Sequence, residues 1–128
     1  MDGSWWVIDG NNVMGARPDG WWRDRRGAAD RLVEELAVHP WARNDSVVVF
    51  FDGPGETCRA GRVTVVHTGH ASADDAVIEH LSGAPPGRAA ATTLVTSDRA
   101  LADRCRPLVA EITGSGAFRT RLSRSRPV

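Results

Sequence analysis

The chain predicts an α/β protein built on a parallel sheet with helices on both faces. Short β-rich apolar runs alternate with helical-period stretches along its length, which implies βαβ units with right-handed crossovers. The run Ser46–Phe51 is apolar almost without a break, as in a strand covered on both faces. The 128 residues, 41% hydrophobic and 25% charged, suit one domain around one core. No internal repeat or second domain is visible, so residues 1–128 are expected to form a single domain with its ordered core over about 5–123.

Each element follows from local signals. Trp5 to Ile8 reads as a first strand ending at Asp9. Asn11 to Gly20, rich in Asn, Gly, Pro and Asp, reads as a loop. From about Trp22 to Val38 the pattern turns helical, with Ala28, Ala29, Leu32, Val33 and Leu36 at three- and four-residue intervals, and Pro40 marks its end. Ser46 to Phe51 is the second strand; Asp52 closes it and Gly53-Pro54-Gly55 breaks it. Arg62 to His67 is a third strand, and Thr68 to Ala73 a loop. Ala73 to Leu81 reads as a helix, with Ser72 or Asp74 near its N-cap. Gly83 to Gly87, holding Pro85 and Pro86, is a turn. Thr92 to Thr96 is a fourth strand ending at Ser97 and Asp98. Arg99 to Arg106 is a short helix stopped by Pro107, and Leu108 to Ile112 a fifth strand. Gly114-Ser115-Gly116 opens a last helix, about Ala117 to Arg124, and the final four or five residues read as a disordered tail.

No apolar run approaches the length of a membrane span, and Met1-Asp2-Gly3-Ser4 carries no signal-peptide pattern. Two cysteines, Cys58 and Cys105, make neither a disulfide framework nor a zinc motif, so a reducing, cytoplasmic setting is expected. Net charge is zero but uneven. All 16 basic residues are Arg. Residues 99–128 hold seven Arg and two acids, a balance of +5, leaving −5 on the rest. The segment Arg119-Thr-Arg121-Leu-Ser-Arg124-Ser-Arg126 reads either as a solvated tail or as a phosphate-tracking patch, since Arg binds phosphate bidentately.

Four acidic signatures carry the chemistry: Asp9-Gly-Asn-Asn12, Phe51-Asp52-Gly53, Ala73-Asp74-Asp75 and Thr96-Ser97-Asp98. Parallel strands share one carboxyl edge, where open α/β sheets bind ligands. Carboxylates brought there from distant positions would converge. Close pairs repel by roughly 3 kcal/mol at ~5 Å and an effective dielectric near 20. A hard divalent cation would neutralise them. Each signature alone also has a plain structural reading, as a turn at Asp9 and Asp52 and as helix capping or first-turn acids at Asp74, Asp75 and Asp98. Adjacent helix residues point about 100° apart, so only one of Asp74 and Asp75 should face the cleft, the other acting as a supporting acceptor. Asn12 and Ser97 could position carboxylate or phosphate oxygens.

Competing motifs fail. The dinucleotide fingerprint is incomplete at Gly53-Pro-Gly55, and there is no P-loop or Gly-x-Ser-x-Gly elbow. Asp9-Gly-Asn is not the Asp-x-Asp of a phospho-aspartyl enzyme. His67 and His70 near Asp74 read as a transition-metal pair or as structural histidines. Trp21 and Trp22 beside Arg23, Arg25 and Arg26 suit base stacking with phosphate contacts, or a helix start packing on the sheet.

Val7-Ile-Asp9-Gly-Asn-Asn12-Val13, Val49-Phe-Phe-Asp52, Ala73-Asp74-Asp75 and Val95-Thr-Ser97-Asp98 resemble the NYN domain, a branch of the PIN-like ribonuclease superfamily. Gly116-Ala-Phe118-Arg119-x-Arg121-Leu122 is similar to the end of its bacterial YacP-like members. The resemblance spans residues 5–123 and implies a three-layer α/β/α sandwich and a Mg²⁺- or Mn²⁺-dependent ribonuclease. By motif position it implies Asp9, Asp74 and Asp98 as the metal-binding acids, with Asn12, Asp75, Ser97 and Asp52 supporting them. Some relatives carry a further acid four residues after the last Asp; here that position is Ala102, with Asp103 one later. Some bacterial relatives act on messenger RNA at the ribosome, which makes RNA the expected partner and the ribosome a candidate one. The expected reaction is cleavage of single-stranded RNA by metal-activated water. Arg99, Arg119 and Arg121 would track the backbone, and Asp52 or Asp75 would orient the water or a second cation. A non-catalytic RNA- or ribosome-binding adaptor on the same fold, and a phosphatase of small nucleotides, are the alternatives.

Overall fold

The computed structural model describes residues 3–16 and 20–124. Six strands form one sheet: β1 (Trp5–Asp9), β2 (Ser46–Phe51), β3 (Cys58–Ala60), β4 (Val63–His67), β5 (Thr92–Val95) and β6 (Glu111–Thr113). The helices are α1 (Gly10–Gly15), α2 (Arg25–Val38), α3 (Ala73–Ser82), α4 (Arg99–Cys105) and α5 (Ser115–Arg124). Strand order is β3-β4-β2-β1-β5-β6, and every pairing is parallel except β3 with β4.

Alternation along the strands divides the core into two layers, as a period of two requires. Trp6 and Ile8 of β1, Val47, Val49 and Phe51 of β2, and Val95 of β5 pack with Leu32 and Leu36 of α2 and with Phe118 and Leu122 of α5. Val7, Phe50 and Leu94 face the other way, onto Val77 and Leu81 of α3 and Leu101 and Cys105 of α4. The result is the three-layer α/β/α sandwich. The chain leaves β1 for β2 on one side and returns through α3 to β5 on the other. The topological switch point therefore lies between β1 and β5, and a crevice opens there at the carboxyl ends of the strands.

The structure departs from the sequence reading in several places. Asn11 to Gly15, expected within a loop, belong to the helix α1, which Asp9 caps and whose Val13 and Met14 are buried. The rest of that expected loop includes residues 17–19, which lie outside the described residues, as do 125–128 of the expected tail. β3 is an additional antiparallel edge strand, too short and too exposed to leave a hydrophobic pattern. β6 begins at Glu111 rather than Leu108, because Arg106–Leu108 continue α4 as a turn of 3₁₀ helix. The last helix starts at Ser115, two residues before the expected Ala117.

Candidate active site

Four carboxylates, Asp9, Asp52, Asp74 and Asp98, line one cavity of about 590 Å³ at the carboxyl edge of the sheet. They arrive from the end of β1, the end of β2, the first turn of α3 and the start of α4. A larger cavity of about 650 Å³ lies near the amino ends of β1 and β2, but its carboxylate, Asp45, already accepts from the N–H groups of Ser4, Trp6 and Ala42.

Asp9 is the buried centre, 5% exposed. Its Oδ2 accepts from the Thr96 hydroxyl at 2.8 Å, and its Oδ1 from the Asn12 N–H at 3.4 Å. Thr96 Oγ1 in turn accepts from the Asp98 N–H at 3.1 Å, so one hydroxyl joins two of the acids. Asp52 commits Oδ1 to the Ala73 N–H at 2.8 Å, and Asp98 commits Oδ1 to the Leu101 N–H at 3.2 Å. Among the described residues, Oδ2 of each has no protein donor and Asp74 makes no hydrogen bond. Burial raises the Asp9 pKa above the ordinary carboxylate value, and the charges of Asp74 and Asp98 add to it; the two hydrogen bonds oppose the rise. Asp74 is also raised, first by burial, then by Asp98 and Asp52.

Asn12 and Ser97 line the cavity but also work as scaffold. Asn12 Oδ1 accepts from the Ser97 N–H at 2.7 Å and from the Ser115 hydroxyl at 2.5 Å. Ser97 Oγ accepts from the Ser115 N–H at 2.8 Å. This clasp ties the first residue of α5 to the site. Asn11 does the same for β2, accepting from the Asp52 N–H at 2.7 Å. Thr96, Ser115 and Asn11 were not predicted as site residues. Thr96 and Asn11, each within an acidic signature just past a strand end, carried a positional signal; Ser115 carried none.

The remaining predicted residues do not join the cavity wall. Asp75 turns outward to Arg104 at 3.6 Å, which leaves Asp74 as the member of the pair that faces the cavity. Arg99 is exposed beside Asp98, at the start of α4. Arg119 is not available to track a backbone: it is a core residue, 9% exposed, with Nη1 3.2 Å from Oε1 of the buried Glu35. Arg121 lies over Trp6, 4.9 Å from the ring centroid. It projects from a helix that starts at the site and has run roughly 9 Å from it by that point, at 1.5 Å per residue. Asp103 does not stand in for Ala102, because it pairs outward with Arg106 at 3.1 Å while Ala102 is buried. His67 stacks on Phe51 instead of joining His70 and Asp74.

The donor set suits a hard divalent cation. Among the described residues, four carboxylates and no His or Cys line the cavity, a preference of Mg²⁺ or Mn²⁺ over zinc. The acids are spread around the wall: among the described residues, no three His, Cys, Asp or Glu side chains are gathered into a metal cluster.

A mostly parallel α/β/α sandwich with four acids around a cavity at its switch point is in keeping with a ribonuclease-type fold. The YacP-like NYN domain family matches residues 6–127, and the chain belongs to that family. Two crystal structures of Rae1 (YacP) from Bacillus subtilis share its fold. One, a W164L mutant, is 20% identical with a TM-score of 0.75, and the match covers 97% of this chain and 76% of that one. The other is 25% identical with a TM-score of 0.72, covering 97% and 75%. No curated protein matches the chain. Among the described residues, no helix is long and apolar enough to cross a membrane.

Proposed function

We propose that the protein is a Mg²⁺- or Mn²⁺-dependent endoribonuclease acting on single-stranded RNA in the cytoplasm, with the ribosome as a candidate place of action. Asp9 carries the reading. A buried carboxylate facing two others, at the switch point of the sheet, is costly without a cation. In this reading Asp9, Asp74 and Asp98 hold the metal. When bound there, the ion would supply a water of lowered pKa and polarise the scissile phosphate for in-line attack.

The chain's own groups would do the rest. Thr96 fixes the orientation of Asp9 and the position of the Asp98 backbone at once. Asp52, held through Oδ1, keeps Oδ2 to accept a proton from the attacking water. Asn12 spends its Oδ1 on the clasp and offers its Nδ2 amide to a phosphate oxygen. Arg99, exposed and next to Asp98 in the chain, would meet the backbone on either side. The test is incubation of a single-stranded oligoribonucleotide with Mg²⁺, Mn²⁺ or EDTA. Internal cuts that need the metal and disappear in Asp9→Asn are expected. Absence of cleavage, or cleavage that survives Asp9→Asn, would sink the proposal.

One observation favours a second reading, a non-catalytic RNA-binding adaptor. Ala102 is buried where some relatives carry an acid, and Asp103 is turned away to Arg106. Calorimetry showing weak Mn²⁺ binding, with RNA affinity unchanged in Asp98→Ala, would support it over the first.

A further inference from the structure

Beside the acid cavity stands a wall of opposite character. Trp21–Arg23 form a 3₁₀ turn that leads into α2 through Asp24. Trp21 lines the acid cavity and packs its ring on the core. Trp22 is 58% exposed, and the two rings meet edge to face with centroids 6.2 Å apart. The Arg25 guanidinium lies 5.7 Å from the Trp21 centroid and that of Arg23 5.9 Å from the Trp22 centroid. Arg25 and Arg26 line a second cavity of about 620 Å³, of mixed charge with Asp30 and Glu56, that shares Asn11 and Asp52 with the first. Asp24 is the one acid in this stretch, and it caps α2 by accepting from the Gly27 N–H at 3.0 Å. Among the described residues, none of the three Arg pairs with an acid.

The acid cavity repels phosphate, so an RNA chain that reaches it must be held from its edge. A large exposed aromatic among three cations matches an unpaired nucleotide on both counts: the ring offers a face to the base, and the guanidinium groups meet the flanking phosphates. A base within a duplex has no free face to give. We propose that Trp22, with Arg23, Arg25 and Arg26, is a stacking platform that captures an unpaired base of single-stranded RNA and leads its backbone past Trp21 toward Asp9. The proposal rests on RNA being the substrate, and it names the structural feature of that RNA the protein selects.

The test uses binding without cleavage. Fluorescence anisotropy in EDTA would follow a short single-stranded oligoribonucleotide and an abasic oligomer with the same sugar-phosphate chain. Trp22→Ala should lose about five- to tenfold in affinity for the base-bearing strand, the low end of what base–aromatic stacking supplies. It should bind the abasic strand as the parent does, and Trp22→Phe should retain most of the affinity. Arg26→Gln should weaken both strands and lower the salt slope by about one. Equal binding of the base-bearing strand by Trp22→Ala and the parent overturns the platform, and so does an equal loss on both strands. A changed sedimentation coefficient in Trp22→Ala with RNA binding intact would also overturn it, by assigning the ring to a protein contact. The two proposals fail separately. A protein that cuts RNA but binds it without regard to Trp22 keeps the nuclease and loses the platform. One that never cuts but needs Trp22 for base-bearing RNA keeps the platform and loses the nuclease.

Discussion

Replacing Thr96 by Val removes one oxygen and tests how the acid site is held together. Thr96 is 2% exposed, and its hydroxyl joins Asp9 Oδ2 at 2.8 Å to the Asp98 N–H at 3.1 Å. Val is similar in size and keeps the β-branch, and the backbone bond from the residue 96 N–H to the Thr113 carbonyl survives. The loss is therefore polar. A hydrogen bond to a buried charge is worth about 1.5–3 kcal/mol, and the part-buried Asp98 N–H adds up to about 1. Thr96→Val should lose about 2–3 kcal/mol at neutral pH, a large share of the 5–15 kcal/mol typical of a domain. The pH dependence has a definite sign. Asp9 has its folded pKa raised above the unfolded value, so folding is favoured as pH falls through that range. The Thr96→Val penalty acts on the ionised form. It should be full above the raised pKa and shrink as the carboxyl protonates. Urea unfolding followed by Trp fluorescence measures this, with Thr96→Ser as the control that restores the bond. A penalty within about 0.5 kcal/mol of zero at neutral pH, or one that does not change with pH, would refute the reasoning.

Further substitutions test other parts of the site and its frame. Asp74→Asn should abolish cleavage yet raise the melting temperature at neutral pH, because burial and the charges of Asp98 and Asp52 oppose its ionised form; the gain should vanish below the carboxylate range. Gly10→Ala should cost about 1–3 kcal/mol in urea unfolding, since a Cβ there would lie 2.7 Å from the Phe50 carbonyl oxygen and 2.6 Å from Phe51 Cε1. Arg119→Met should cost about 3–5 kcal/mol by taking the guanidinium from buried Glu35, while RNA affinity of the folded fraction stays unchanged. Adding Glu35→Met should recover most of that loss, and a double variant no more stable than Arg119→Met would overturn the ion-pair account.

The strands that carry acids were legible because three things coincide there: a β-rich run, a turn residue and a carboxylate. The split between Asp74 and Asp75 followed from helix geometry alone, and the structure sends one inward and the other to Arg104. What could not be read depends on partners distant in the sequence. Arg119 resembles its neighbours in an Arg-rich segment, and only the packing of α5 on α2 puts it against Glu35. The clasp of Asn12, Ser97 and Ser115 joins α1, the segment after β5 and the start of α5 through small polar groups that have no pattern of their own. α1 was hidden because Gly-Asn-Asn favours turns. Capping by Asp9 and burial of Val13 and Met14 override that preference.

Four of the seven Arg in the C-terminal stretch are engaged away from the acid cavity. Arg104 goes to Asp75, Arg106 to Asp103, Arg119 to Glu35 and Arg121 to the Trp6 ring. No Arg lines the acid cavity among the described residues, though the charge of Arg104 opposes the pKa rise at Asp74 from outside it. An internal guanidinium would relieve the repulsion and also occupy the place of a cation. Burial first, and then the neighbouring carboxylates, raise the pKa of Asp9 and Asp74 above the ordinary carboxylate value. A divalent ion entering the cavity must displace the protons of these two carboxyls, so its apparent affinity should rise with pH through their raised range and level off above it. Melting curves with and without Mn²⁺ across that range should show a stabilisation that grows with pH and is lost in Asp9→Asn. A Mn²⁺ shift that is independent of pH, or that persists in Asp9→Asn, would mean that the ion binds elsewhere and that these carboxylates serve another purpose.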